Sequence, residues 1–363
     1  MKAVVARGVR DFAVEEVSLD PPRAGEVEVR MAATGVCRSD LSVVEGALPF
    51  PFPIVLGHEG AGVVERAGEG VTHLAPGDPV VLSFIPVCGR CFFCRRGEAH
   101  LCVQGIPTGR MLDGTSRVRQ GDRELYVMQF LGCMAERAVV PAACAVKIEG
   151  GIPLERAALV GCAVATGVGA ALRTARVEAG ASVAVFGCGG VGLCIVQGAR
   201  LAGAARIVAI DVAPGKLDLA RRLGASDTVD AREVEPVAAV RALTDGIGAD
   251  YTFEAVGRPE LVLQAWAAAR RGGVVTVVGL AKLTETVSFN ALLLAGEAKT
   301  LKGSVYGSAN PHADFPTWLR LHAQGRLDLA ALVTRTYRIE EATQAFADLE
   351  RGANARGVIV FGA

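Results

Sequence analysis

Residues 182–192, Ser-Val-Ala-Val-Phe-Gly-Cys-Gly-Gly-Val-Gly, place a short apolar run directly before a G-x-G-G-x-G turn, with a helix-compatible stretch behind it. A strand that ends in such a turn and passes into a helix opens a βαβ unit, and few local patterns restrict a fold so narrowly. The rhythm continues downstream. Between about 160 and 300, apolar runs at 183–186, 207–210 and 276–278 alternate with Ala-, Leu- and Arg-rich helical patterns at 216–223 and 261–270. That alternation predicts an α/β, doubly wound parallel sheet, a Rossmann domain.

Each glycine of the turn has a task. Gly187 permits the tight turn, Gly189 lets a pyrophosphate approach the backbone, and Gly192 lets helix and strand pack, with Gly190 and Val191 opening the helix whose N-terminus faces the phosphates. The second apolar run ends at Asp211, 24 residues after Gly187. A carboxylate there accepts hydrogen bonds from ribose hydroxyls and repels a 2′-phosphate, so NAD is expected over NADP. Lys216 is the nearest downstream cation able to reach the ribose edge, or else a solvated lysine at a helix start.

The flanking regions read differently. Up to about residue 150 the chain consists of short alternating runs such as Glu26-Val27-Glu28-Val29-Arg30, punctuated by Pro- and Gly-rich turns, and is expected to be mainly β. Mixed structure returns after 300, with helical patterns at 314–324 and 340–351 and a last strand at 357–361. The economical arrangement inserts a nucleotide domain, 164–304, between two pieces of a catalytic domain, 1–163 and 305–363.

Ten cysteines are present, and Cys88, Cys91, Cys94 and Cys102 follow the spacing C-x2-C-x2-C-x7-C. Four thiolates so close in sequence can close a tetrahedron around one zinc and leave no position for substrate, so a lobe at about 87–103 is expected to be a structural staple. Cys37, His58 and Cys162, scattered along the chain, have the ligand types of an open zinc site with an exchangeable fourth position. Asp40 and Glu59 adjoin them in sequence and suit the task of orienting ligands; Glu59 could also reach the metal. Cys133, Cys144, Cys188 and Cys194 read as small buried hydrophobes.

Lys plus Arg and Asp plus Glu both number 38, which gives no net charge and predicts no bulk attraction to nucleic acid or to an anionic membrane. The first residues lack the pattern of a secretory signal, and no window is apolar enough to span a bilayer, so the cytoplasm is the expected compartment.

Taken together, Gly35-Val-Cys37-Arg38-Ser39-Asp40, Gly57-His58-Glu59-Gly60-Ala-Gly62, the four-cysteine lobe, Gly161-Cys162 and Phe186-Gly-Cys-Gly-Gly-Val-Gly192 resemble the zinc-dependent medium-chain alcohol dehydrogenases, over essentially the whole chain. The resemblance implies a GroES-like catalytic domain beside the Rossmann domain. It implies catalytic zinc on Cys37, His58 and Cys162, a second zinc in the lobe, and NAD as hydride acceptor. Ser39 becomes the first member of a proton relay, and Arg38 and Arg356 contact the cofactor phosphates. Val256, Val278 and Leu280 lie along the cofactor, the last two also in the substrate channel with Leu48, Phe84, Met128 and Phe130. The implied reaction converts apolar primary alcohols, aliphatic or aromatic, to aldehydes and back.

Three features bear on variants of that reading. Many family members end the relay with a histidine five positions after the first zinc cysteine, where this chain has Ser42. The long segment 106–126, with Arg110, Arg117, Arg119 and Arg123, resembles the dimeric branch. Those arginines leave S-(hydroxymethyl)glutathione open as a second candidate substrate, although Leu48 stands where the enzymes acting on it usually carry an acidic residue. The same motifs also allow a non-catalytic, zinc-stapled NAD sensor, and an enzyme whose NAD never leaves and is recycled by an external acceptor.

Overall fold

The computed structural model describes residues 1–362. Contacts divide the chain into two compact units, Met1–Cys162 with Asn310–Ala363, and Ala163–Ala309.

The first unit is built on β-sheet. Its largest sheet runs in the order Ala145–Lys147, Pro79–Leu82, Gly60–Ala67, Glu26–Val36, Arg356–Val360 and Val333–Tyr337, with Arg137–Pro141 also paired to Glu26–Val36. The long strand Glu26–Val36 is central because it is buried along nearly its whole length and pairs antiparallel with both Gly60–Ala67 and Arg356–Val360. That pairing matters for the site: the strand ends immediately before Cys37, and its neighbours begin at Gly60 and Arg356. One core of this unit gathers Val4, Leu41, Ile54, Leu56, Tyr337 and Phe346; another gathers Val29, Met31, Leu82, Leu131 and Val140.

The second unit contains a six-stranded sheet in the order Asp227–Asp230, Arg206–Asp211, Ser182–Phe186, Ala249–Glu254, Ala269–Val277, Thr300–Gly303. Every pairing is parallel. This is the doubly wound order, in which the strand sequence reverses direction beside Ser182–Phe186 and leaves a crevice at the carboxyl ends. Its central strands, Ser182–Phe186, Arg206–Asp211 and Ala249–Glu254, are buried nearly throughout, with a core around Phe186, Val208, Val275 and Trp266, as continuous apolar runs require.

Two details differ from the sequence expectation. The helix expected over 261–270 is Pro259–Ala268, because Ala269 already pairs with Ala249 as sheet. Residues 305–309 belong with the Rossmann unit, not with the catalytic one. The reason is close packing: a Cβ on Gly307 would come within 2.1 Å of the Ala165 carbonyl oxygen, on helix Ala163–Gly169. No single helix among the described residues is long and apolar enough to cross a membrane.

Candidate metal and nucleotide sites

Cys37 caps the helix Arg38–Val44, His58 sits just before strand Gly60–Ala67, and Cys162 follows the turn Ala158–Gly161. The fold brings them together. Their ligand atoms all lie within 4.8 Å of one another and all three residues are buried. Cys37 Sγ and Cys162 Sγ are 3.9 Å apart, close to the roughly 3.8 Å edge of a tetrahedron built on ~2.3 Å zinc–sulfur bonds.

Asp40 organises the set. Its Oδ1 lies 3.2 Å from His58 Nδ1 and accepts a hydrogen bond from the Gly57 N–H at 3.0 Å, while Oδ2 accepts from the Cys37 N–H at 3.1 Å. An imidazole that donates from Nδ1 to a carboxylate presents Nε2 as a lone pair, the form a metal requires. Glu59 Oε2 lies 3.7 Å from Arg356 Nη1, both side chains being buried, and Arg356 also donates to the Val36 carbonyl. Four buried groups here can carry negative charge, Cys37, Cys162, Asp40 and Glu59, against the one buried guanidinium. A buried set so rich in anions calls for a divalent cation, and its donors fit zinc.

Without an ion, the three side chains bias one another's protonation. A hydrogen bond from Cys162 draws the Cys37 thiol well below its usual range, helped by Arg356 and His58, and Cys162 is pushed up correspondingly. Burial opposes charge on His58, yet Asp40 and Cys37 outweigh it and raise its pKa. Cys133, also buried nearby, is pushed by burial up to about 12 and remains a neutral thiol, 3.4 Å from Thr34 Oγ1.

The four lobe cysteines also converge within 4.8 Å. Cys91 caps the short helix Phe92–Arg95 and accepts from the Cys94 N–H; Cys102 accepts from the Cys88 N–H. Main-chain donation from Cys94, and then Val103, lowers the Cys91 thiol to about 6.

In the Rossmann unit Gly187 has φ +96°, and a Cβ on Gly192 would lie 1.8 Å from the Gly187 carbonyl oxygen, so the turn admits only glycine at both positions. A Cβ on Gly189 would meet nothing within 4 Å, and Gly189 caps the helix Gly190–Ala202. Open space over a helix N-terminus suits a pyrophosphate. Asp211 Oδ2 accepts from the Cys188 N–H at 2.7 Å and Oδ1 from Val212 and Ala213, which fixes its carboxylate at the strand end. Lys216 is half-buried, while Val256 and Leu280 are exposed and Val278 is buried.

Ser39 Oγ lies 3.9 Å from Cys37 Sγ, at the metal site. Arg38 is exposed and pairs with Glu45 at 3.4 Å. Arg356, expected on the cofactor phosphates, is buried beside Glu59. Among the channel residues, Phe84 does face the site, its ring 5.8 Å from that of His58. Met128 and Phe130 do not read as an open wall: both are buried in cores, turned inward by the bend 128–130, where Gln129 and Phe130 have positive φ. Leu48 is half-buried against the core around Leu41. Three of the four loop arginines are consumed locally: Arg110 by Glu124, Arg117 by Glu26 and Asp113, Arg119 by Asp20 and Glu124. Arg123 is exposed. The Glu59–Arg356 pair has no local signal in the chain; only the strand pairing of 26–36 with its two neighbours creates it.

Residues 23–150 match the alcohol dehydrogenase GroES-like domain and 190–324 the zinc-binding dehydrogenase domain. The chain is 42% identical to the NDMA-dependent alcohol dehydrogenase of Amycolatopsis methanolica, over 99% of this chain and 98% of that one. Among solved structures, an alcohol dehydrogenase zinc-binding domain protein from Burkholderia ambifaria superposes with a TM-score of 0.95 at 37% identity, covering 100% and 99% of the two chains. Benzyl alcohol dehydrogenase from Acinetobacter calcoaceticus gives 0.94 at 32% identity, covering 99% of each.

Proposed function

This chain belongs to the zinc-dependent medium-chain alcohol dehydrogenases, an oxidoreductase family, and from that premise we propose that it oxidises apolar primary alcohols, aromatic ones included, to aldehydes with NAD, reversibly. The observation that carries the reading is the buried Cys37–His58–Cys162 set with Ser39 beside it. When bound there, zinc supplies Lewis-acid polarisation of the alcohol oxygen, and NAD supplies the hydride acceptor.

The remaining work falls to the chain's own groups. Cys37 and Cys162, as thiolates, and His58, through Nε2, would hold the ion, with Asp40 fixing the imidazole tautomer. Arg356 offsets the negative charge that these groups and Glu59 concentrate in the interior. Ser39 receives the hydroxyl proton at Oγ and passes it outward. Phe84, edge-on to His58, keeps water from that side of the site and offers an aromatic face to an apolar substrate. Aldehyde reduction runs the same proton route inward.

The relative from Amycolatopsis methanolica, NDMA-dependent by name, favours a second reading of cofactor use, in which NAD stays bound and an external acceptor regenerates it. S-(hydroxymethyl)glutathione is the weaker candidate substrate, since Arg110, Arg117 and Arg119 are engaged in ion pairs. Initial rates over ethanol to octanol, benzyl alcohol, cinnamyl alcohol and S-(hydroxymethyl)glutathione, each with added NAD and separately with an artificial acceptor, separate these readings. NADH formation from apolar alcohols is expected. Turnover only with the acceptor selects the bound-cofactor form, preference for the glutathione adduct selects that substrate, and no turnover in either assay sinks the catalytic assignment.

We also propose a homodimer. The strand Thr300–Gly303 is the sheet's edge, and Leu283, Leu292, Leu293 and Leu301 are exposed. An unpaired edge rimmed by leucines is a template for a second copy. Sedimentation at about twice the chain mass is expected; a monomer at micromolar concentration would refute it. Ten cysteines without a disulfide suit a reducing cytoplasm.

A further inference from the structure

Glu254 ends the strand Ala249–Glu254 at the carboxyl edge of the Rossmann sheet, and nothing in the chemistry above uses it. It is fully buried. Its Oε1 accepts hydrogen bonds from the N–H groups of Val256 at 2.8 Å, Gly257 at 2.7 Å and Arg258 at 3.4 Å. Its main-chain carbonyl accepts from the N–H groups of Val278 at 2.8 Å and Gly279 at 3.0 Å. One residue thus gathers the loops that leave two neighbouring strands.

A third loop is tied in behind it. Glu254 is in register with Phe186, whose carbonyl accepts from the Ala255 N–H at 2.9 Å. Val256 then presses on the bare α-carbon of Gly187, where a Cβ would come within 2.4 Å of Val256 Cγ2. These are the loops of Gly187, Val256 and Val278, at the end of a doubly wound sheet where dinucleotides bind.

Beyond the contact of Val256 with Gly187, the loop 256–258 borders open space. Beside it lies a cavity of about 180 Å³, lined among others by Val262, Val277, Val287, Phe289 and Glu254, and the chain beyond exposes Leu280 and Leu283. With space behind the loop, the hydrogen bonds set its position. They carry a cost, because Glu254 Oε2 is buried with no hydrogen-bond partner among the described residues, and burial pushes the carboxyl's pKa up. A Cβ on Gly279 would lie 2.7 Å from that oxygen, so the opposing loop can approach only as glycine.

We propose that Glu254 is a positioning residue for the dinucleotide, its carboxylate and carbonyl locking 256–258 and 278–279 into the wall against which the cofactor binds. The proposal rests on the NAD reading above. It is tested by titration calorimetry of NAD on nucleotide-depleted protein, with zinc content and melting temperature measured alongside. Glu254→Gln keeps an acceptor oxygen at the same reach and should bind within about threefold of wild type; Glu254→Ala and Glu254→Asp, which lose acceptor or reach, should bind about tenfold or more weakly. In steady state the loss should appear in KM for NAD, leaving kcat and the KM for alcohol near wild type, with zinc content unchanged. A generally loosened fold would not produce that split, or rescue by glutamine alone. If the alanine variant does not fold, the aspartate variant carries the test. Binding by either within twofold of wild type overturns the proposal, whereas a wild type that binds no NAD overturns the cofactor reading and this proposal with it.

Discussion

Cys88, Cys91, Cys94 and Cys102 come from a single stretch of fifteen residues, three of them partly exposed, and their sulfurs accept hydrogen bonds from their own local main chain. Cys37, His58 and Cys162 come from three distant segments, are all buried, and lean on Asp40, with Glu59 and Arg356 close by. The first cluster needs only a short loop to form, so a metal bound there would contribute to the folding of that loop. The second is assembled by the sheet and balanced by buried charges, so the sheet would position a metal that three protein ligands leave open to substrate. The same element is thus expected to serve as a staple where ligands are local and as a reagent where they are remote.

The sharpest way to break this comparison is to remove one ligand from each cluster. Cys37→Ala should lower zinc by one ion per chain while the lobe stays filled, and activity should fall on the order of a thousandfold or more, because the Lewis acid is lost. Metal analysis by mass spectrometry beside initial rates checks both halves. Full activity with one zinc missing would show that the ion does no chemistry. Cys94→Ser should do the reverse: lobe zinc is lost, the melting temperature falls by roughly several degrees, and surviving molecules keep kcat within a few-fold. Loss of both ions together in either variant would mean that the two clusters are not independent.

A subtler variant separates ligand from support. Asp40→Asn removes the charge that holds His58 and one acceptor of the Cys37 and Gly57 N–H bonds, but leaves all three ligands in place. Zinc affinity at the open site should drop roughly ten- to a hundredfold, with the lobe unaffected. Competition with a chromophoric chelator reads the two ions separately, and equal release from both would remove Asp40 from its supporting role.

How much of this the chain announces depends on how far apart the cooperating residues lie. The lobe is legible because its ligands are neighbours, and the glycine turn because strand, turn and helix follow one another within 21 residues, from Ser182 to Ala202. The open site is reachable only through resemblance, since nothing local ties Cys162 to Cys37. The role of Arg356 is likewise implied by the resemblance alone, while its surroundings, Glu59 and Val36, are set by strand pairing across more than 290 positions and leave no local trace. Met128 and Phe130, channel residues by the resemblance, are buried in cores on either side of a bend with positive φ at Gln129 and Phe130, which no side-chain pattern announces. Glu254 offers no motif, since its importance lies in main-chain N–H groups, which no side-chain pattern encodes.

Ser42 gives the smallest of these effects and the finest test of the open cluster. It lies three residues after Ser39, on the helix that Cys37 caps, and it brings no imidazole to the outward proton route. A relay ending in histidine accepts a proton only when that ring is neutral, so its rate climbs as pH rises through about 6.5. Without such a group the wild-type rate should rise towards alkaline pH with no step in that range. Ser42→His should introduce one, raising the rate by about a few-fold above the new pKa and leaving it near wild type below. The comparison needs kcat over the range of roughly pH 5 to 10 for both proteins, with the buffer ion varied. An imidazole-like step already present in wild type, surviving replacement of His73, His100, His312 and His322 in turn, would show that the proton leaves by a route that does not pass position 42.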